Sequence, residues 1–335
     1  MKELVVLSGK GGTGKTSVVS SFAALAARSE NAVFADCDVD AADLHIILEP
    51  AVQEQGAFSG GKLASVRERD CIACGLCAEL CAFNAISQTG VAAMPEAFSH
   101  PSAAATTAER GRGAPGAATA VVDPLACEGC SVCAHFCPVG AIDFAPVENG
   151  RWYVSDTRFG PLAHAKLGIA EENSGKLAAL VREKARALAR EHGREIMITD
   201  GPPGVGCPVI SSVTGADLIL VVTEPTRSGL HDLDRVLDLA AHFDIPALVA
   251  INKADLNTDL AAEIERRTGE DRLVGRIPYD RAVTHAQVEK KAVVEFDAPG
   301  TAVPAAGLPA PESATSAAAE IRRLWEVVAA RLDAS

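Results

Sequence analysis

The chain has 335 residues, 48% of them hydrophobic, and carries 31 basic against 44 acidic side chains for a formal charge of −13. That composition excludes wholesale disorder, and the acidic balance argues against nucleic acid or an anionic membrane as the main partner. No apolar run approaches the roughly 18 residues that a membrane helix needs, the apolar start Leu4–Leu7 is too short for a secretory leader, and the ten cysteines point to metal rather than disulfides. The expected location is the cytoplasm.

Glu3 to Ser8 reads as a short buried strand, followed by a glycine-rich turn and a helix with Val18, Phe22, Leu25 and Ala26 on one face. The turn, Gly9-Lys10-Gly11-Gly12-Thr13-Gly14-Lys15-Thr16, fits G-x-x-x-x-G-K-[ST] in the strand–loop–helix setting that motif requires. Its glycines let backbone N–H groups turn toward phosphate oxygens, and the following helix aims its positive end at the same point. Lys15 then reaches the β- and γ-phosphates and the Thr16 hydroxyl serves Mg²⁺. Ala32 to Asp36 is a second strand, ending in the acidic stretch Asp36-Cys37-Asp38-Val39-Asp40-Ala41-Ala42-Asp43.

A cysteine block follows. Cys71-x2-Cys74-x2-Cys77-x3-Cys81 is repeated, after 45 intervening residues, by Cys127-x2-Cys130-x2-Cys133-x3-Cys137-Pro138. Each is the run used by bacterial ferredoxins, in which the fourth cysteine serves the other cluster of a pair. The expected ligand sets are therefore crossed, with Cys71, Cys74, Cys77 and Cys137 on one 4Fe-4S cluster and Cys127, Cys130, Cys133 and Cys81 on the other. Zinc also uses C-x2-C pairs, but the 2-2-3 spacing given twice favours clusters. The first run lacks the trailing proline, having Ala82 instead. Residues 99–120, rich in Ala, Thr, Gly and Pro, read as a mobile spacer inside this block.

Beyond it, Ile196–Thr199, Leu218–Val222 and Ala247–Ile251 are short apolar strands, with Leu230, Leu233, Leu237 and Ala240 at helical spacing between them. Strands alternating with helices predict an α/β domain with a mainly parallel sheet. The expected organisation is a first part over 1–60, an inserted α+β cysteine domain over 61–150, a second part over 151–297, a linker over 298–316 and a C-terminal helix over 317–335. That helix places Ile321, Leu324, Trp325, Val328 and Leu332 on one face, with mixed charges suited to packing on the body. The stretch Thr157–Lys176 reads as a connector leading into a helix, with Ser174 as its cap.

Lys10, a second lysine early in the phosphate loop, makes the chain resemble the MinD/ParA-type P-loop ATPases, the SIMIBI-class group that includes Mrp and the nitrogenase iron protein. The resemblance implies that Lys10 reaches across a nucleotide-sandwich dimer to the partner's phosphates, and that the dimer is formed with a second copy or a paralogue. It likens Asp38 to the first-switch residue that orients attacking water and meets Mg²⁺ through water, and Asp200, in Asp200-Gly201-Pro202-Pro203-Gly204, to the Walker B carboxylate. Lys10, Lys15 and Asp38 are then the catalytic set, and Thr16, Asp38 and Asp200 the Mg²⁺ set. Asn252, Lys253 and Asp255, with Pro278 and Asp280, resemble base-side loops. An N-K-x-D pattern often reads guanine, whereas Asn at this place in the resembled group contacts adenine, so the resemblance favours ATP. Cys207, just past the second switch, is a candidate third metal or redox ligand, since a switch-II cysteine in the nitrogenase iron protein holds its bridging cluster. The chain lacks the C-terminal C-x-x-C of cytosolic iron–sulfur scaffold ATPases.

The function these readings imply is ATP-gated electron delivery to, or cofactor maturation of, a partner metalloprotein. The alternatives are an iron–sulfur scaffold or carrier ATPase, and a positioning ATPase with redox-sensing clusters.

Overall fold

The structure, a computed structural model, describes residues 1–29, 31–89, 119–168, 175–296 and 316–334. It begins with β1 (Lys2–Ser8), α1 (Lys15–Ala26), β2 (Ala32–Asp36), the short α2 (Leu44–Leu48) and β3 (Ala51–Phe58). The cysteine block follows as β4 (Gly61–Val66), α3 (Leu76–Glu79), β5 (Ile86–Thr89), β6 (Thr119–Val122), α4 (Val132–His135) and β7 (Ile142–Val147). Next come β8 (Gly150–Thr157), β9 (Gly160–Leu167), α5 (Lys176–Glu191), β10 (Ile196–Pro203), α6 (Cys207–Val213), β11 (Leu218–Thr223) and α7 (Arg227–His242). The chain closes with β12 (Ala247–Asn252), α8 (Thr258–Thr268), β13 (Leu273–Ile277), α9 (Arg281–Val288) and α10 (Ala317–Ala334).

Two compact units result. The first takes the described residues of Met1–Ala57, Arg151–Leu167 and Glu172–Ser335; the second takes those of Phe58–Gly150 and Gly168–Glu171. The first unit is built on a nine-stranded sheet in the order β13-β12-β11-β1-β10-β2-β9-β8-β3. From β13 through β9 every neighbouring pair is parallel. Alternation along the strands feeds two cores. Leu4, Val6, Leu218, Leu220 and Val222 face α1 and α10, whereas Val5, Leu7, Ile219 and Val221 face α6 and α7. A strand buried on both faces needs an unbroken apolar run, which is why β1 reads as one. In α10, Ile321, Leu324, Val328 and Leu332 are buried, and the Trp325 ring lies 5.0 Å from Phe22 of α1.

Several expectations change. The cysteine unit is inserted after the third sheet strand, not the second, because β3 belongs to the main sheet. Among the described residues of the segment read as a connector, Thr157 ends β8 and Gly160–Leu167 form β9. Ser174 lies outside the described residues, and the N-cap of α5 is Gly175 in the left-handed region. Thr119 and Ala120, expected within the spacer, are paired strand residues of β6; the rest of the spacer and nearly all of the 298–316 linker lie outside the described residues.

The second unit has an internal repeat. Strand β4, ahead of the first cysteine run, pairs antiparallel with β7, which follows the second run; β5 and β6 pair in the reciprocal way. Each run thus starts beside the strand that ends the other.

Candidate functional site

The chain leaves β1 toward one side through β2 and returns to the other side through β11, which opens a crevice at the carboxyl ends of the strands. The phosphate loop lies there. Gly14 caps α1 at φ 87°, a conformation an L side chain resists, and a Cβ on it would meet the Asn252 amide at 2.3 Å. Lys15 and Thr16 open the helix.

Register brings the acidic residues to the same place. Asp200 of β10 is level with Val6 of β1 and Asp36 of β2. The Cys37 N–H donates to the Asp200 carbonyl at 2.8 Å, which ties the chain after β2 to the end of β10. The Lys15 ammonium donates to Asp200 Oδ1 at 2.5 Å and Asp38 Oδ2 at 3.2 Å, while the Thr16 hydroxyl donates to Asp200 Oδ2 at 2.9 Å. Lys15 is 5% exposed and Asp200 1%. Burial alone would lower the Lys15 pKa, but Asp200, Asp38 and Asp36 together hold it above its ordinary value. Burial and the neighbouring Asp200 push Asp36 well above the usual carboxylate range. Burial also raises Asp38, against the pull of Lys15.

Three buried oxygens at this crevice have no partner: Thr13 Oγ1, Asp36 Oδ2 and Asp38 Oδ1. Unpaired buried polar atoms are costly, so clustered ones mark a place built for polar groups from outside the chain. A phosphate oxygen fits the Thr13 hydroxyl as acceptor, and a hydrated Mg²⁺ fits the carboxylate oxygens; Thr16, Asp38 and Asp200 would hold the ion. Lys10 turns to α7, where its ammonium reaches Thr226 Oγ1 at 3.2 Å and Ser228 Oγ at 3.3 Å.

The residues expected on the base side have structural partners that spacing did not reveal. Asn252 donates to the Thr13 carbonyl at 2.7 Å, and Lys253 to the Gly12 carbonyl at 3.3 Å, so both brace the phosphate loop from β12. Asp255 Oδ1 accepts from the Tyr279 N–H at 2.7 Å, which draws the Pro278–Asp280 loop alongside. Asp280 caps α9 through Ala282 N–H and accepts from Ala317 N–H at the start of α10.

In the second unit, the eight cysteines divide between two cavities. Cys71, Cys74, Cys77 and Cys137 line one, with Val66, Ile72 and Ile142. Cys81, Cys127, Cys130 and Cys133 line the other, with Ile86 and Phe144. The grouping follows the strand exchange described above. Equivalent positions in the two loops share a left-handed backbone, Ala73 with Gly129 and Gly75 with Ser131. At Gly129 a Cβ would strike the Lys62 carbonyl at 2.3 Å. Backbone N–H groups of Ala73, Ala85 and Ala141 point at the sulfurs of Cys71, Cys81 and Cys137 at 3.4, 3.3 and 3.2 Å. Such donors stabilise thiolate, so four thiols around an apolar cavity fit a thiolate-held cluster. Among the described residues no three His, Cys, Asp or Glu side chains converge as a single-ion site.

The remaining cysteines differ from each other. Cys37 is fully buried against the Ala178 carbonyl, and burial pushes its thiol far up; Cys207 is exposed at the first position of α6.

Residues 4–293 match the family described as the CobQ/CobB/MinD/ParA nucleotide binding domain. The chain is 31% identical over 255 residues to an uncharacterized protein of Methanocaldococcus jannaschii, covering 76% of this chain and 79% of that one. Among solved structures it resembles the cell division ATPase MinD of Pyrococcus furiosus, with a TM-score of 0.52 and 15% identity over 98% of this chain and 99% of that one. It resembles equally the septum site-determining protein MinD of Pyrococcus horikoshii, solved with Mg-ADP, at TM-score 0.52 and 15% identity over 98% and 95% of the two chains.

Proposed function

We propose a function from one premise: the chain belongs to the CobQ/CobB/MinD/ParA nucleotide-binding family. The reading is an ATP-hydrolysing, nucleotide-switched dimer that carries two 4Fe-4S clusters and serves a partner metalloprotein, by electron delivery or cofactor maturation. The observation that carries it is the crossed division of the eight cysteines between two cavities, within a chain of this family. Clusters bound there would supply one-electron chemistry.

The chain's own residues supply the switch. Gly9 to Thr16 wrap the phosphates, Lys15 exchanges its carboxylates for phosphate oxygens, and the freed Asp200 and Thr16 take the Mg²⁺ side. Asp38, with one oxygen unpartnered, orients water toward the γ-phosphate. Lys10 reaches the phosphates of the partner and closes the dimer. Asn252, Lys253, Asp255, Pro278 and Asp280 form the base-side wall. Hydrolysis followed by release of the cleaved γ-phosphate removes the charge that Lys10 bridges, so the dimer equilibrium shifts with each turnover.

A positioning ATPase whose clusters sense redox state is the second reading. The fold likeness to two MinD proteins favours it, and the acidic charge counts against membrane or DNA as its track.

Anaerobic purification, with iron, sulfide and zinc counted on the sample whose ATP hydrolysis is measured, tests the leading reading. About eight irons and eight sulfides per chain, with Mg²⁺-dependent hydrolysis, are expected. Stoichiometric zinc without iron, or no hydrolysis with any partner fraction, overturns it.

A further inference from the structure

The two cysteine runs are related by an offset of 56 residues, which pairs most positions lining one cavity with a counterpart at the other. Three of those pairs differ in what they show to solvent. Phe83, 44% exposed, lines the cavity of Cys81, Cys127, Cys130 and Cys133, whereas its counterpart Val139, 39% exposed, lines the other. Glu128 sets an exposed carboxylate on the same cavity as Phe83, and its counterpart is the half-buried, apolar Ile72. Of the eight cysteines, Cys130 alone is exposed; its counterpart Cys74 is half-buried.

A cover over the first loop accounts for part of this difference. Gln88 of β5 donates its amide to the Ala73 carbonyl at 3.3 Å and lies over Gly75, where a Cβ would meet the amide nitrogen at 3.0 Å. The counterpart of Gln88 is Phe144 of β7, which forms part of the wall of the other cavity. The second loop thus lacks the amide cover, and Cys130 stands at the surface. The surrounding charge is negative: the described residues of Phe58–Gly150 carry seven acidic against three basic side chains. Two of those cations are engaged locally. Arg67 bonds Asp70 and Asp143, and the Lys62 ammonium lies 5.4 Å from the centroid of the Phe144 ring.

We propose that Phe83, Glu128 and Cys130 form an electron port, the docking face for a redox protein whose acceptor centre is ringed by basic side chains. The proposal rests on the reading that clusters occupy both cavities. A ligand sulfur and an aromatic ring at the surface shorten the gap that an electron crosses, and the carboxylate steers a cationic partner toward them. One electron passes through this face to the partner's acceptor centre, which is reduced as the site is oxidised; no bond forms or breaks and no proton moves. The other cavity, with Ile72 and Val139 at these places and no exposed cysteine, offers no equivalent exit.

The experiment is stopped-flow re-oxidation of the anaerobically reduced, full-length protein by cytochrome c, whose exposed haem edge is ringed by lysines, and by the same cytochrome with its lysines acetylated. Wild type, Glu128→Lys, Phe83→Ala and Val139→Ala are compared, with iron counted on each sample. Glu128→Lys reverses one rim charge and should slow the reaction with unmodified cytochrome about five- to tenfold at low ionic strength, an effect that fades at about 0.5 M salt. With acetylated cytochrome the same variant should stay within about twofold of wild type. Phe83→Ala should slow both reactions severalfold with iron retained, and Val139→Ala should match wild type. Equal rates for wild type and Glu128→Lys at low salt, or a loss for Val139→Ala as large as that for Phe83→Ala, overturns the port. If Phe83→Ala sheds iron, the Glu128→Lys comparison decides alone. Wild-type protein that holds no iron fails the cluster reading instead, and the port falls with it.

Discussion

Arg182 of α5 joins three elements that the crevice depends on. Its side chain is 3% exposed; Nε donates to Glu3 Oε1 at 2.7 Å, and Nη1 donates to the carbonyls of Ser211 at 2.7 Å and Thr214 at 3.1 Å. It therefore ties the start of β1 to the carboxyl end of α6, the helix that follows Asp200. Replacing it with Met leaves Glu3, 2% exposed, with a diminished counter-charge and strips a donor from two helix-end carbonyls. Breaking a buried ion pair costs about 3–5 kcal/mol, mostly for the stranded charge. Arg186 still reaches Glu3 Oε2 at 2.6 Å, which places the expected loss near the lower end, about 3 kcal/mol. Urea unfolding followed by tryptophan fluorescence reads this directly, because Trp152 and Trp325 both lie in the first unit. Arg182→Met should lower the unfolding free energy by about that amount, and adding Glu3→Gln should recover part of it. A loss under about 1 kcal/mol would refute the reasoning.

His164, 7% exposed, hydrogen-bonds Ser155 at 3.0 Å and stacks between Tyr153 and His45; burial, reinforced by His45, lowers its pKa to about 4. The folded state thus resists a proton that the unfolded chain accepts below about 6.5, so its share of stability is full above that pH and falls away toward pH 4, by up to about 3 kcal/mol. His164→Gln should flatten that stretch of the stability–pH curve relative to wild type; parallel curves would contradict it. Asn252→Ala removes the 2.7 Å brace on the Thr13 carbonyl and should weaken nucleotide affinity about three- to tenfold by calorimetry, with little change in melting temperature. If the crossed ligand sets proposed above hold, Cys137→Ser depletes the cluster assigned to Cys71, Cys74 and Cys77, and Cys81→Ser the other. Combining Cys137→Ser with Cys71→Ser should lose no more iron than Cys137→Ser alone, whereas uncrossed sets would make that pair lose both clusters.

How much of this could be read from residues alone varies with how local the signal is. The strand, phosphate loop and helix from Glu3 to Ala26 were legible because an apolar run, fixed glycines and helical spacing adjoin one another. The meeting of Asp38 and Asp200 was legible only through resemblance, since 161 residues lie between them, and the place of Asp36 beside Asp200 came from strand register alone. The outer strands were missed for a physical reason: β3 leaves five successive residues exposed, so it has neither an alternating nor a continuous apolar pattern. Thr119 and Ala120 shared the composition of the spacer but gained a partner strand from the first repeat. The bracing role of Asn252 left one faint trace, an amide at a strand end facing a glycine that has no room for a Cβ. Cysteine spacing, by contrast, made the repeat itself legible, because a 56-residue offset relates all four pairs of positions; the crossed grouping came from the likeness to the bacterial ferredoxin run.

The central claim is that nucleotide state controls what the cysteine unit does. Its most direct test is the rate at which an outside oxidant re-oxidises the anaerobically reduced protein, measured without nucleotide, with Mg-ADP and with Mg-ATP, for wild type and Lys10→Ala. The account predicts that Mg-ATP alone changes the rate severalfold and that Lys10→Ala abolishes the change. One identical rate under all three conditions, in wild-type protein holding about eight irons per chain, would contradict it.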